Sequence, residues 1–428
     1  MDHRTVERKL LRGGVKPIPM IEKSIISEED LSLIRHLIPG PDPKLESPIR
    51  RISSEEESAR VIPVADTLLD GNELRYLTEC VQSNWISSIG PFVREFERQF
   101  AQACGCEFGV ACANGTVALH LALATLGIGP GDEVIIPTFT MIATANAVSY
   151  TGATPVLVDA EPETWNLDVS RIEEKITPRA KAIVVVHTYG HPAPMDAINE
   201  IAKRRGLYVI EDAAEAHGAE YHGRRAGSLG DAASFSFYAN KIITTGEGGM
   251  VTTNNAELAE VARRLRDHAF STERHFWHQY RGFNYRMTNM QAAIGLAQTE
   301  RLQELIERRR HNARIYTETL SQTRGLTLPR ELPGAKNVFW MYGILVEEEF
   351  GCSRDELRHR LAQQGIETRT FFIPIHFQPI YFAQFKGQRY PVAETLCQKG
   401  MYLPSGVGLT ETDVRFVAEA VAQSQRRL

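Results

Sequence analysis

Seven short apolar runs lie between residues 108 and 253, and they constrain the fold more than any other feature. They read FGVACA, EVIIPT, TPVLVDA, KAIVVVH, LYVIED, ASFSF and GMVTT. Several are apolar at consecutive rather than alternate positions, as strands covered on both faces of a parallel sheet must be. Helical periodicity fills the gaps. In GTVALHLALATLG, Ala118, Leu121 and Ala122 recur at helical spacing and Gly127 supplies a stop. The alternation predicts an α/β fold, a doubly wound, mostly parallel sheet flanked by helices. A long helical segment runs from Asn289 to Leu320, and beyond it a smaller α/β unit is expected. That unit would hold a strand in FWMYGILV, a helix opened by the capping pair Ser353 and Glu356, a strand in IETRTFF and a last helix from about Thr410. The resulting division is an extension over 1–61, a large domain over 62–310 and a small C-terminal domain over 311–428.

The extension differs from the rest of the chain in its charge clusters and its prolines, IPGPDPKLESP, and is expected to be partly disordered. Within it SEEDLSLIRHLI predicts one short amphipathic helix, with Ser27 as N-cap and Leu31, Ile34 and Leu37 on one face. A net charge of −5 provides no global basic field, so nucleic acid is not indicated as a partner. The six cysteines form no CxxC pair and lack the spacing of a zinc site, so no metal is expected and the reduced cytoplasm is the expected compartment. No run reaches the length of a membrane span, and MDHRTVERKLLRGG is too charged for a secretory leader.

In open α/β sheets ligands collect at the carboxyl ends of strands. Three places there carry chemistry. Asn114-Gly115-Thr116 opens a helix directly after FGVACA, an anion site if its amides are free, or simply an N-cap at Asn114. Asp212 ends LYVIED among small and apolar residues, where a carboxylate needs a cation or several donors. In SFSFYANKIITTGEGG, Ser236 lies on a strand and Lys241 on the turn beyond it. An isolated lysine there either snorkels to solvent or spends its nitrogen in a covalent bond. Together an anion cradle, an aspartate and a lysine are the parts that hold pyridoxal phosphate. No GxGxxG follows the first strand, which disfavours a nicotinamide-binding protein.

From Ile62 onward the chain resembles the nucleotide-sugar aminotransferases among the fold-type-I pyridoxal-phosphate enzymes, and looks most like their GDP-perosamine synthase branch. The stretches that carry this are SNWISSIGPFVREFE, NGTVALHLAL, GDEVIIPTFTMIATANAV, VHTYGHPAPMDAI, VIEDAAEAHGAEYHGRRAGSLGD, SFSFYANKIITTGEGGM and GFNYRMTNMQAAIGLAQ. The resemblance implies that Lys241 is the catalytic lysine, forming a Schiff base with the cofactor aldehyde, and that Asp212 pairs with the pyridine nitrogen. It also implies phosphate contacts from Gly115, Thr116 and Ser236, and from Asn284 of a neighbouring subunit, hence a homodimer with shared sites. Met141 stands where the family usually places an aromatic over the cofactor ring; Glu215 and His217 follow Asp212 and are candidates near the ring. Candidates for the substrate are His187, Tyr285, Arg286, Arg369 and His376, with Trp277 and His278.

The implied reaction is ping-pong transamination from glutamate to a nucleotide-linked ketosugar, with C4 of GDP-4-keto-6-deoxymannose suggested. Amination of another nucleotide hexose or a cyclitol ketone stays open. A sugar dehydratase of the same fold would carry histidine in place of Lys241, and a noncatalytic binding module would not be expected to keep Lys241, Asp212 and Ser236 together.

Overall fold

The computed structural model describes Ser27, Asp30, residues 32–34, 61–271, 273–274 and 276–425. Most of the expected extension, including its disorder and most of its short helix, lies outside the described residues. Within it the Asp30 amide donates to Ser27 Oγ at 3.0 Å, the bond an N-cap serine makes.

All seven apolar runs enter one sheet. Its strands are β1 (Phe108–Cys112), β2 (Glu133–Pro137), β3 (Thr154–Val158), β4 (Ala180–Val186), β5 (Tyr208–Asp212), β8 (Ala232–Ser236) and β9 (Gly249–Thr253), in the order β1-β9-β8-β5-β4-β2-β3. The two-residue strands β6 (Glu220–Tyr221) and β7 (Arg224–Arg225) form a small separate sheet with β11 (Ala335–Lys336). In the large sheet only β9 runs against its neighbours, β1 and β8. The connection from β8 to β9 contains no helix to carry a crossover, so the chain returns antiparallel. That connection holds Lys241.

Consecutive apolar residues serve two cores. Val134, Ile136, Leu157, Val184 and Ile210 face one cluster, while Ile135, Val158, Ile183, Val185 and Val209 face another, built on the helix Met195–Arg205. A polar residue at either set would lose about 1.5–3 kcal/mol of burial.

The expected long helix is two. Arg301, at φ −111° and ψ 6°, separates Asn289–Glu300 from Leu302–Leu320. Its guanidinium is held by Asp70 and Glu304. The second helix bridges the two halves of the protein: Leu302, Leu305 and Ile306 join the large core, and Ala313, Ile315, Tyr316 and Leu320 join a second one. The expected boundary at 310 therefore falls inside a continuous helix.

The second core lies on the antiparallel sheet β10-β12-β14-β13, with β10 at Leu326–Thr327, β12 at Tyr342–Val346, β13 at Arg369–Thr370 and β14 at Gly400–Leu403. Its helices Arg354–Gln363 and Glu411–Gln423 open with capping boxes at Ser353 and Thr410. Strand β12 is shorter than FWMYGILV because Phe339 adopts φ 47° and turns the chain. Strand β13 stops at Thr370 because Phe371 and Phe372 leave the sheet to pack on Tyr189, with ring centroids at 4.8 and 5.2 Å. Ile62 also belongs to this second core and bridges Ile366.

Candidate active site

The site begins where β1 hands over to the helix Gly115–Thr125. The Asn114 side chain accepts from the Val117 amide at 3.0 Å, so Asn114 is the N-cap. The first intrahelical bond runs from the Ala118 amide to the Asn114 carbonyl, leaving the Gly115 and Thr116 amides ahead of the helical ladder. Gly115 presses against the end of β8. A Cβ on it would lie 2.6 Å from Ser236 Cβ, so only glycine lets helix start and serine meet. This pairs a dipole end with a hydroxyl, a cradle for a phosphate.

Asp212 ends the central strand β5 and is buried. It accepts from Thr144 Oγ1 at 2.8 Å and, weakly, from the Ala214 amide at 3.3 Å. Two donors do not saturate a carboxylate. Desolvation raises its pKa, opposed by the Thr144 and Ala214 bonds and by the charge of Lys241. Glu215 is also buried and accepts from the Tyr189 amide at 2.8 Å. Burial raises its pKa as well, against the pull of Lys241. Tyr189 sits at φ 52°, a left-handed conformation that a tyrosine holds only under constraint.

Lys241 is half-buried, with Nζ 3.8 Å from the centroid of the Trp340 ring. Desolvation lowers its pKa, offset by Glu215 and Asp212. A depressed amine pKa is what a nucleophilic lysine needs. His217 is fully buried among Phe100, Phe235 and Phe237, and burial pushes it down to about 3. It is a neutral wall residue.

The remaining candidates separate. Met141 is 48% exposed, and its thioether accepts from the Ala143 amide at 3.0 Å, capping the helix Ile142–Tyr150. His187 lies below the site, fully buried: Nε2 donates to Glu211 at 2.9 Å and Nδ1 accepts from the Ala193 amide at 3.0 Å. Both nitrogens are spent, so it supports the end of β5 and has none left for a substrate. Glu211 also receives the amides of Gly227, Leu229 and Gly230. His376 is buried against Thr138 Oγ1 at 2.8 Å, and burial pushes it down to about 4, so it too is a neutral interior residue.

Arg369 is half-buried opposite Tyr402 and has no carboxylate partner among the described residues. Asn284 is exposed, and Arg286 bonds both it and Asp267, at 3.0 and 2.9 Å. Tyr285 meets His120 Nδ1 at 2.9 Å. Trp277 is exposed, and His278 Nδ1 donates to the His268 carbonyl at 2.8 Å. Thr144, Tyr189 and Trp340 escape a sequence reading because nothing local distinguishes them from packing residues; only the fold brings them to Asp212 and Lys241.

Comparison with known proteins resolves what this constellation belongs to. Residues 68–422 match the DegT/DnrJ/EryC1/StrS aminotransferase family. The chain belongs to that family. It is 50% identical to the GDP-perosamine synthase of Caulobacter vibrioides over 363 residues, covering 85% of this chain and 98% of that protein. Identity to the GDP-perosamine synthase of Escherichia coli O157:H7 is 46%, with the same coverage. Among solved structures it resembles S. venezuelae DesV, with a TM-score of 0.81 at 38% identity, covering 86% of this chain and 99% of that one.

Family members are pyridoxal-phosphate-dependent aminotransferases, and this chain is a nucleotide-sugar aminotransferase of that kind. The residues present fit the cofactor: a depressed amine, an unsaturated buried carboxylate at a strand end, and a helix start that a Cβ at Gly115 would obstruct. Among the described residues no helix is long and apolar enough to cross a membrane, and no group of His, Cys, Asp or Glu could hold a metal.

Proposed function

We propose that this chain moves an amino group from glutamate to C4 of GDP-4-keto-6-deoxymannose, making GDP-perosamine in the cytoplasm. The observation that carries the reading is the position of the Lys241 amine on the β8–β9 turn, over the Trp340 ring and within the electrostatic reach of Asp212 and Glu215. The similarity to two GDP-perosamine synthases supports the choice of sugar.

Pyridoxal phosphate, when bound, supplies an aldehyde for the amine and an electron-poor ring that stabilises a carbanion. Lys241 Nζ would hold the aldehyde carbon, and once displaced by the donor's amine it would take the proton from the substrate carbon and return it to the cofactor carbon. Burial weakens the hold of Nζ on its proton, which favours the neutral form this role needs. Asp212 would keep the ring nitrogen protonated, since a buried carboxylate with spare lone pairs gains most from a cation. The Gly115 and Thr116 amides and Ser236 would bind the phosphate.

Met141 would lie over the ring. Tyr285, Arg286 and Arg369 remain the substrate candidates, the two arginines suited to a diphosphate. We assign Asn284 to the phosphate of a second copy of the chain, which its exposure permits. The active form is then a homodimer.

The test is spectral. With pyridoxal phosphate the purified protein should absorb as a lysine-bound cofactor, lose that band with glutamate and recover it with GDP-4-keto-6-deoxymannose. Recovery with a dTDP-linked ketosugar and not the GDP sugar would overturn the substrate assignment. A band that survives in Lys241→Ala would overturn the assignment of the lysine.

A further inference from the structure

The surroundings of Trp340 assign a second residue to the working amine. Trp340 is 4% exposed and is held from three directions. Its indole Nε1 donates to the Asn240 carbonyl at 2.8 Å, one residue before Lys241. Its own carbonyl accepts from Arg309 Nη1 at 2.7 Å, and the same nitrogen reaches the Ser405 carbonyl at 2.6 Å. The turn behind it is fixed by Phe339 at φ 47°, whose amide donates to Asn337 Oδ1 at 2.7 Å. Gly190, at φ 102°, lies so close that a Cβ there would come within 2.9 Å of the Trp340 amide. A ring gripped in this way cannot follow a moving ligand. It is a platform, and Lys241 Nζ rests on its face 3.8 Å from the centroid.

Arg309 is the unusual member. It is 1% exposed, pairs with no carboxylate, and leaves Nε and Nη2 without a hydrogen-bond partner among the described residues. A buried guanidinium held by carbonyls without a carboxylate is costly relative to a paired one. Burial pushes it down to about 10, eased by Asp66. The charges around the amine are then Asp212 at the end of β5, Glu215 on the turn after it, Arg309 from the helix Leu302–Leu320, and neutral His217. The first two hold the proton on Nζ; Arg309 and desolvation drive it off.

We propose that Trp340 is a positioning residue: clamped by Arg309 and Asn240, its π-face receives the Lys241 ammonium whenever the amine is free, fixing where Nζ waits and how tightly it keeps its proton. This rests on the reading of Lys241 as the working amine. The face of an indole attracts a cation, more strongly the less water reaches the pair. The attraction exists only for the charged form, so the ring raises the amine pKa while Arg309 lowers it.

The full-length protein loaded with pyridoxamine phosphate, which leaves Nζ free, provides the test. Carbamylation of Lys241 by cyanate, read by peptide mass spectrometry across pH, reports its amine pKa without turnover. Replacing Trp340 with mono-, di- and trifluorotryptophan weakens the π-face at constant shape. The apparent pKa should fall stepwise, by about half a unit at the trifluoro ring. Arg309→Met should raise it and Arg309→Lys should leave it near the wild-type value. A pKa unmoved across the fluorinated series overturns the proposal, whatever the arginine variants do. Because carbamylation needs no donor or sugar, a shift in a protein that fails to aminate the sugar would sink the substrate reading and leave this one standing.

Discussion

At the residue scale, buried charges and hydrogen-bond capacity decide the chemistry. Among the described residues Asp212 accepts two hydrogen bonds, from a hydroxyl at 2.8 Å and an amide at 3.3 Å, so its charge is available to a ring nitrogen. Asp212→Asn keeps the shape and removes the charge. The fall in kcat should be at least about 100-fold, comparable to losing one preorganised electrostatic group. Retained kcat in that variant would mean the ring is protonated by other means. Met141 makes a subtler case, because its thioether already caps a helix. If Met141 lies over the cofactor ring as proposed, Met141→Phe exchanges a sulfur contact for ring stacking and should tighten cofactor binding by about 1 kcal/mol, roughly five-fold. Equilibrium titration of the apoprotein with pyridoxal phosphate measures it, and an unchanged Kd would show that sulfur serves the ring as well.

At the level of elements, the junction between the helix Gly115–Thr125 and β8 is set by the absence of a side chain. Gly115→Ala puts a methyl 2.6 Å from Ser236 Cβ, which neither a strand end nor a capped helix start can yield. Phosphate and cofactor affinity should fall by at least about ten-fold while the far-ultraviolet spectrum stays unchanged; full affinity would move the phosphate elsewhere. The extension offers a second case. Ile34 packs beside Phe377, Phe382 and Cys397, and Asp30 reaches Lys386 Nζ at 2.7 Å. Ile34→Ala should cost about 1 kcal/mol or less in chemical denaturation and leave turnover intact.

How much of the molecule was legible beforehand depends on how local each signal is. The seven strands were, because apolar runs buried on two faces announce themselves locally. Asp212 and Lys241 stand out because a charge among apolar neighbours demands an explanation. The partners of His187 are not local in the same way: Glu211 and the amide of Ala193 occupy its ring nitrogens, and neither is visible from its own neighbours. The break at Arg301 and the short β13 are equally hidden, since a distant carboxylate and a distant tyrosine set them.

At the scale of the whole molecule, acid is the informative stress. Burial pushes His120 down to about 4, His217 to about 3 and His376 to about 4, against an ordinary value near 6.5. Above pH 6.5 these rings are neutral in folded and unfolded chains alike and contribute nothing to pH dependence. As pH falls from about 6.5 toward 4 the unfolded chain binds protons that the folded chain refuses, so stability declines with acid over that window. His217→Phe fills the same aromatic cage without a titrating nitrogen. Its melting temperature should drop less than the wild type's between pH 7 and pH 5, and an equal drop would place the acid sensitivity elsewhere.

The proposed sharing of sites between two copies belongs to the whole assembly, and it allows a test that no single chain can mimic. Suppose Asn284→Asp and Lys241→Ala each inactivate the protein. In a mixed dimer the Asn284→Asp chain still carries Lys241, and its partner still carries Asn284. If Asn284 acts across the interface, one of the two sites in each mixed dimer is whole. Random exchange makes half the dimers mixed, so about a quarter of wild-type activity should return on unfolding and refolding the two inactive proteins together. If Asn284 serves its own chain's site, every site in the mixture lacks one group and activity stays at zero.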